Sequence, residues 1–151
     1  MNFPDEAPIG NLIAYEYLWH SQRGAREDGV KTYPVALIFA KRTVLGNTFA
    51  YAVAISHKPP SATERAIEVP RKLKRHLGLD EEPSWIYTDQ VNEFTWPGPD
   101  LRPADRLSSL PRARGTCVIG PLPKDWFASL KAEIIQSLRL GRTRIVRRTG
   151  R

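Results

Sequence analysis

Residues 10–41 constrain the fold more than any other stretch of the chain. They read GNLIAYEYLWHSQRGAREDGVKTYPVALIFAK, two apolar runs separated by a charged segment that contains Gly24 and Gly29. From Asn11 to Trp19 the residues alternate. Ile13, Tyr15, Tyr17 and Trp19 fall on one side and Leu12, Ala14, Glu16 and Leu18 on the other, the period-two spacing of a β-strand. Tyr33 to Ala40 is apolar almost without a break, as a strand covered on both faces is. Between them, His20 to Thr32 carries Arg23, Arg26 and Lys31 against Glu27 and Asp28. A mainly basic loop held by two buried strands is a place to meet an anion, and a solvated hairpin loop fits the same composition.

The strand pattern continues. Leu45-Gly46-Asn47-Thr48 supplies a turn, after which Phe49, Tyr51, Val53 and Ile55 alternate with Ala50, Ala52, Ala54 and Ser56. The small face allows close packing or close approach of a ligand, and Lys58-Pro59-Pro60 ends the strand. Ala66–Val69, Ser84–Thr88, Glu93–Trp96 and Gly115–Ile119 read as shorter strands. Pro70–Leu77 reads as a short basic helix closed by Gly78, with Leu73 and Leu77 inward and Arg71, Lys72, Lys74 and Arg75 in water. Residues 99–114, rich in proline and arginine, read as a long loop. Lys124–Leu140 is the clearest helix, with Trp126, Phe127, Leu130, Ile134, Ile135 and Leu138 at helical spacing and Gly141 after it. Without parallel βαβ alternation, the expected fold is mainly β with helices attached: a small antiparallel sheet or barrel, a short inserted helix and a C-terminal helix.

At 151 residues and 41% hydrophobic, the chain has the size of one domain with a core of its own. Its lone Cys117 excludes an internal disulfide and a cysteine-rich metal site. His20, His57 and His76 show no metal-ligand spacing, so the chemistry is expected to need neither metal nor cofactor. No apolar run approaches the roughly 18 residues of a membrane span, and the N-terminus lacks the pattern of a secretory signal, so a cytoplasmic protein is expected. The formal charge of +7 is uneven: residues 142–151 hold five of the 23 basic residues and none of the 16 acidic ones. The organisation expected is one domain over residues 1–141 and a basic tail over 142–151. Such a tail either holds phosphates or is a solvated end.

No phosphate-cradling glycine loop or GxSxG elbow is present. What remains is a set of strand-end polar residues, Ser56 and His57, then Asp89 and Gln90, with the cations of the 20–32 loop. Singly, each has a structural explanation as a strand end, a loop residue or a turn cap. Together they hold what phosphodiester transesterification needs, an acid/base pair and cations for the charge that develops on phosphate.

These residues also carry a family resemblance. Gly10-Asn11-Leu12-Ile13 is similar to the Gly-Asp-hydrophobic-hydrophobic start of the PemK/MazF toxins of toxin–antitoxin pairs, and the chain most resembles their PemK-like growth-inhibitor branch. A charged, glycine-containing loop leading to Pro34, the Val53-Ala54-Ile55-Ser56 strand end, Asp89-Gln90-Val91, Gly115-Thr116 and the terminal helix follow in the family's order, over roughly Gly10 to Leu138. The resemblance implies an SH3-like barrel, a homodimer, and a metal-independent endoribonuclease that cuts single-stranded RNA through the RNA's own 2′-hydroxyl, with a cognate antitoxin blocking the groove. By position it implies catalytic roles for Ser56, as the family's hydroxyl residue, and Asp89, as its acidic residue. His57, whose side chain suits proton transfer near neutrality, and Lys31 complete the expected catalytic set, with substrate contacts expected from Arg23, Arg26, Tyr33, Tyr87 and Gln90. Two positions depart from the family. Tyr33-Pro34 stands where it has Arg-Pro, and Tyr87 where some members have a second arginine. Lys31, Arg26 or Arg23 would then supply the cation on the phosphate. The alternative expectation is a non-catalytic barrel that binds nucleic acid or a protein partner.

Overall fold

In the computed structural model, which describes residues 1–22 and 31–148, the first alternating run leaves its ladder early. Strand β1 spans Asn11–Tyr15. Beyond it Glu16 N–H donates to Asp100 O, and Leu18 donates to the Asn92 side chain instead of to a neighbouring strand. The other strands are β2 (Tyr33–Arg42), β3 (Thr48–Ser56), β4 (Ala66–Glu68), β5 (Trp85–Tyr87), β6 (Gln90–Trp96), β7 (Val118–Pro121) and β8 (Arg144–Arg147). Helix α1 is Arg71–His76 and α2 is Lys124–Arg139. The sheet is mainly antiparallel, in the order β4-β5-β3-β2-β1-β7, with β6 also on β3 and β8 on β6. This path is open at β4 and β7. No helix among the described residues is long and apolar enough to cross a membrane.

The alternation explains how the sheet is covered. Leu12, Ala36, Ile38, Val53 and Ile55 point to one face, where Leu73 and Leu77 of α1 and its end and Leu130 and Ile134 of α2 close over them. Ile13, Val35, Leu37, Ala50, Ala52 and Ala54 point to the other. There the alanines of β3 leave room for Tyr15, Tyr17 and Phe94, the first and last stacked at 4.4 Å. The small face of β3 therefore serves close packing, and Tyr15 and Tyr17 are core. Each fully buried aliphatic side chain contributes about 1.5–3 kcal/mol, so Leu130 and Ile134 dock α2 without help from a side-chain N-cap, which Pro123 cannot offer.

Three expectations are corrected. Lys74 is not in water: it is 3% exposed, and its ammonium donates to Asp80 Oδ1, Ser84 Oγ and the Glu82 carbonyl. A six-residue helix lying flat on the core buries two adjacent positions, and Leu73 brings Lys74 with it. Residues 99–114 keep the expected long loop, which carries short 3-10 turns at Ala104–Arg106 and Pro111–Ala113 and a buried Asp100. Finally, α2 does not end the fold, and the strands are not all antiparallel. Arg144–Arg147 of the expected basic tail forms β8, parallel to β6. It is anchored by Arg148, whose guanidinium reaches Asp100 Oδ2 at 3.1 Å, Tyr15 Oη at 3.0 Å and Glu16 O at 2.9 Å.

Candidate functional site

The site follows from a break in one strand pairing. Along the edge of β3, Ile55 faces Ile86 of β5 and Ala52 faces Asn92 of β6. The edge chain thus spends residues 87–91 against only Val53 and Ala54, and the excess bulges outward. Such insertions re-aim side chains at the margins of sheets. Here the bulge carries Tyr87, Asp89 and Gln90 into a cleft of about 940 Å³.

The bulge is held from two sides. Arg65 N–H donates to Asp89 Oδ2 at 3.0 Å, and Arg144 N–H donates to the Asp89 carbonyl at 2.8 Å. The segment after β1 forms another wall. Asn92, fully buried, pairs its amide with both Leu18 backbone groups, and Gln90 Oε1 accepts from His20 N–H at 2.8 Å. Between these anchors Trp19 meets Tyr33 and Tyr87 edge-on, each with ring centroids 5.3 Å away. Tyr87 Oη donates to Lys58 O at 2.5 Å. Burial pushes that phenol up to about 12, with the negative charges of Glu64 and Asp89 adding, so the buried Tyr87 stays neutral and keeps its hydrogen bond to Lys58 O.

Asp89 is the group whose surroundings most favour proton transfer. Burial raises its proton affinity above the ordinary carboxyl value; the Arg65 N–H opposes this without cancelling it, and Glu64 adds to the rise. Its Oδ1 is closed off from solvent with no hydrogen-bond partner among the described residues. His57 is placed differently. It does not form a pair with Ser56, whose Oγ accepts from Lys58 N–H. Its Nε2 lies 2.8 Å from Asp80 Oδ2, and Asp80 in turn is held by the buried Lys74 at 2.7 Å. Burial by itself would raise the Asp80 carboxyl, but hydrogen bonding and charge from Lys74, then from His57, outweigh it and hold the group below its usual range. The imidazole is thus oriented by a carboxylate that stays ionised.

His57, Asp80 and Glu82 bring three ligand atoms within 4.8 Å of one another. A metal there would have to share Asp80 with the Lys74 ammonium, and the group reads as an ion-pair network.

Lys31, Tyr33, Ser56, His57, Tyr87, Asp89 and Gln90, expected from sequence as site residues, all line this one cleft. Lys31 Nζ sits 4.9 Å from the centre of the Tyr33 ring. Arg23 and Arg26 lie outside the described residues. Sequence reasoning missed Trp19 as a cleft wall, and it missed Lys58, Thr63, Glu64 and Arg65; Arg142 and Arg144, which also line the cleft, entered it only as members of a basic tail that either holds phosphates or is a solvated end. For Arg142 and Arg144 a signal existed, the absence of any acid from residue 142 onward. Arg65 and Glu64 had none, because only the pairing of β4 with β5 brings them to Asp89.

No protein-family model matches the chain, and no curated protein matches it.

Proposed function

We propose that the chain is an endoribonuclease of the PemK/MazF kind, a type II toxin that cleaves single-stranded RNA by metal-independent transesterification. The observation that carries this reading is the convergence of seven residues, drawn from separate strands and loops, on one cationic and aromatic cleft around a carboxyl of raised proton affinity. Asp89 takes the proton from the RNA 2′-hydroxyl through Oδ2, the carboxyl oxygen that Arg65 N–H holds, since Oδ1 is closed off. The freed oxygen attacks the adjacent phosphorus and the bond to the 5′-oxygen breaks. His57, oriented through Asp80, gives that oxygen its proton, so the products are a 2′,3′-cyclic phosphate and a 5′-hydroxyl end. Lys31 opposes the charge on the non-bridging oxygens, and Ser56 offers one of them a hydrogen bond. Trp19 and Tyr33, both partly exposed, supply surfaces for unstacked bases, and the buried Tyr87 backs Trp19. Gln90, whose Oε1 is engaged by His20, has its amide nitrogen left for a base edge.

The reading includes an SH3-like barrel as the finer description of the sheet, a cytoplasmic homodimer, and a cognate antitoxin that covers the cleft. Tyr33 in the place of the family's arginine favours a second reading, a barrel that binds RNA without cutting it. Incubation of the chain with long single-stranded RNA at low salt, in chelator, separates the two. Discrete new ends with cyclic phosphates, lost in Asp89→Asn and reduced in Ser56→Ala, are expected of the nuclease. Intact RNA from folded protein refutes it.

A further inference from the structure

The structure assigns Arg142 and Arg144 a task of their own: we propose that they are the phosphate clamp of the cleft, gripping the backbone of a single-stranded RNA that runs along the outer edge of β8. The proposal rests on the preceding reading for the nature of the ligand, not for its position.

Four observations carry it. First, the two arginines are mounted on a fixed backbone. Arg142 N–H donates to Ser137 O at 2.8 Å, Thr143 Oγ1 bonds Ser137 Oγ at 2.6 Å and Thr88 O at 3.3 Å, and Arg144 pairs with Gln90. A cation held on a preformed strand loses less freedom on binding than one on a loose tail. Second, the basic residues of this region divide into two classes. Arg147 pairs with Glu93, and Arg148 with Asp100. Arg142 and Arg144 are exposed and have no ion pair with an acid among the described residues. Third, the cleft they line collects Lys31, Lys58 and Arg65 as well, against only Glu64 and Asp89 as carboxylates. Like charges gathered at one concave surface repel one another, and a bound polyanion relieves that cost.

Fourth, the cleft does not end at these side chains. A second depression of about 630 Å³ is lined by His20 and by the whole run from Gly141 to Arg147, and a third of about 300 Å³ reaches Glu133 and Gln136 of α2; both share Arg142 with the cleft. Among the described residues β8 pairs with no strand but β6, and its other side carries the second, basic depression, with His20 at its margin. An aromatic cleft for bases that continues into a basic track suits several linked nucleotides better than a mononucleotide.

The test uses the full chain and a fluorescent oligonucleotide with 2′-O-methyl groups, which cannot be cut through its 2′-oxygen, titrated at several salt concentrations. Each phosphate contact on a single strand contributes about 0.7 to the slope of log affinity against log salt. Arg142→Gln with Arg144→Gln is expected to lower that slope by about 1.4. Lys41→Gln with Lys124→Gln, exposed positions away from the cleft, removes the same charge and is expected to leave the slope unchanged. Absence of binding by the wild-type chain, an unchanged slope in the arginine pair, or an equal loss in the lysine pair would each overturn the clamp. Arginine-dependent binding without cleavage of ordinary RNA upholds the clamp and sinks the nuclease reading. Cleavage with unaltered binding in the arginine pair does the reverse.

Discussion

Arg148→Met tests whether the C-terminal strand belongs to the folded domain. The guanidinium is buried beside Asp100, itself 2% exposed, and donates to Asp100, Tyr15, Glu16 and Asn92. Methionine fills much of the volume and donates nothing. Removing one partner of a buried pair leaves the other charge uncompensated, at a cost of about 3–5 kcal/mol. Against a total stability of about 5–15 kcal/mol this is severe. At roughly 2–4 °C per kcal/mol for a domain of this length, Tm falls by about 6–20 °C. Arg148→Met with Asp100→Leu removes both charges, so the remaining penalty comes from the acceptors on Tyr15, Glu16 and Asn92, about 1–3 kcal/mol. The assay is thermal and urea unfolding of wild type, Arg148→Met, Asp100→Leu and the double variant at pH 7. Raising the salt should change the coupling little, because solvent does not reach the pair. If Arg148→Met melts within about 2 °C of wild type, or if the two single penalties add without coupling, the anchoring argument is wrong.

Further predictions concern the cleft. Because the folded state binds the Asp89 proton more tightly than the unfolded state does, this carboxyl lowers stability as pH rises from about 3.8 through its raised folded value, and the full penalty stands above both. Asp89→Asn, whose amide oxygen can still accept from Arg65 N–H, should therefore be inactive yet at least as stable as wild type at pH 7, with its advantage fading in acid; a lower Tm at pH 7 contradicts this. Lys74→Met should cost about 2 kcal/mol at neutral pH through its lost hydrogen bonds. Asp80 is held below its ordinary value, so its stabilising contribution is complete above about 3.8 and disappears as pH falls through the folded value. The deficit of Lys74→Met should accordingly shrink in urea melts run near pH 3, and a deficit constant with pH would refute the link. Tyr33→Arg restores a cation beside Lys31 and should raise single-turnover RNA cleavage by about tenfold or more. An unchanged or lower rate would show that the phosphate does not pass that position.

The sequence alone determined the strands whose alternation is strong and the helix whose apolar period is long. Thr48–Ser56 is extended over its full expected range, and α2 runs from Lys124 to Arg139, one residue short of expectation. It also singled out Ser56, His57, Asp89, Gln90 and Lys31, because polar residues at strand ends and in a basic loop break a pattern that otherwise serves burial, while Tyr33 and Tyr87 stood out only through the family resemblance. Local composition misleads where a charge is neutralised from far away. Lys74 looks like a wet helix face until Asp80, Ser84 and Glu82 fold over it. Arg148 looks like part of a basic tail until Asp100, Tyr15 and Asn92, all distant in sequence, surround it. The orientation of His57 by Asp80 and the raised proton affinity of Asp89 were likewise decided only by tertiary structure. Both depend on which groups pack together and how much water they exclude, and neither quantity is encoded in spacing along the chain.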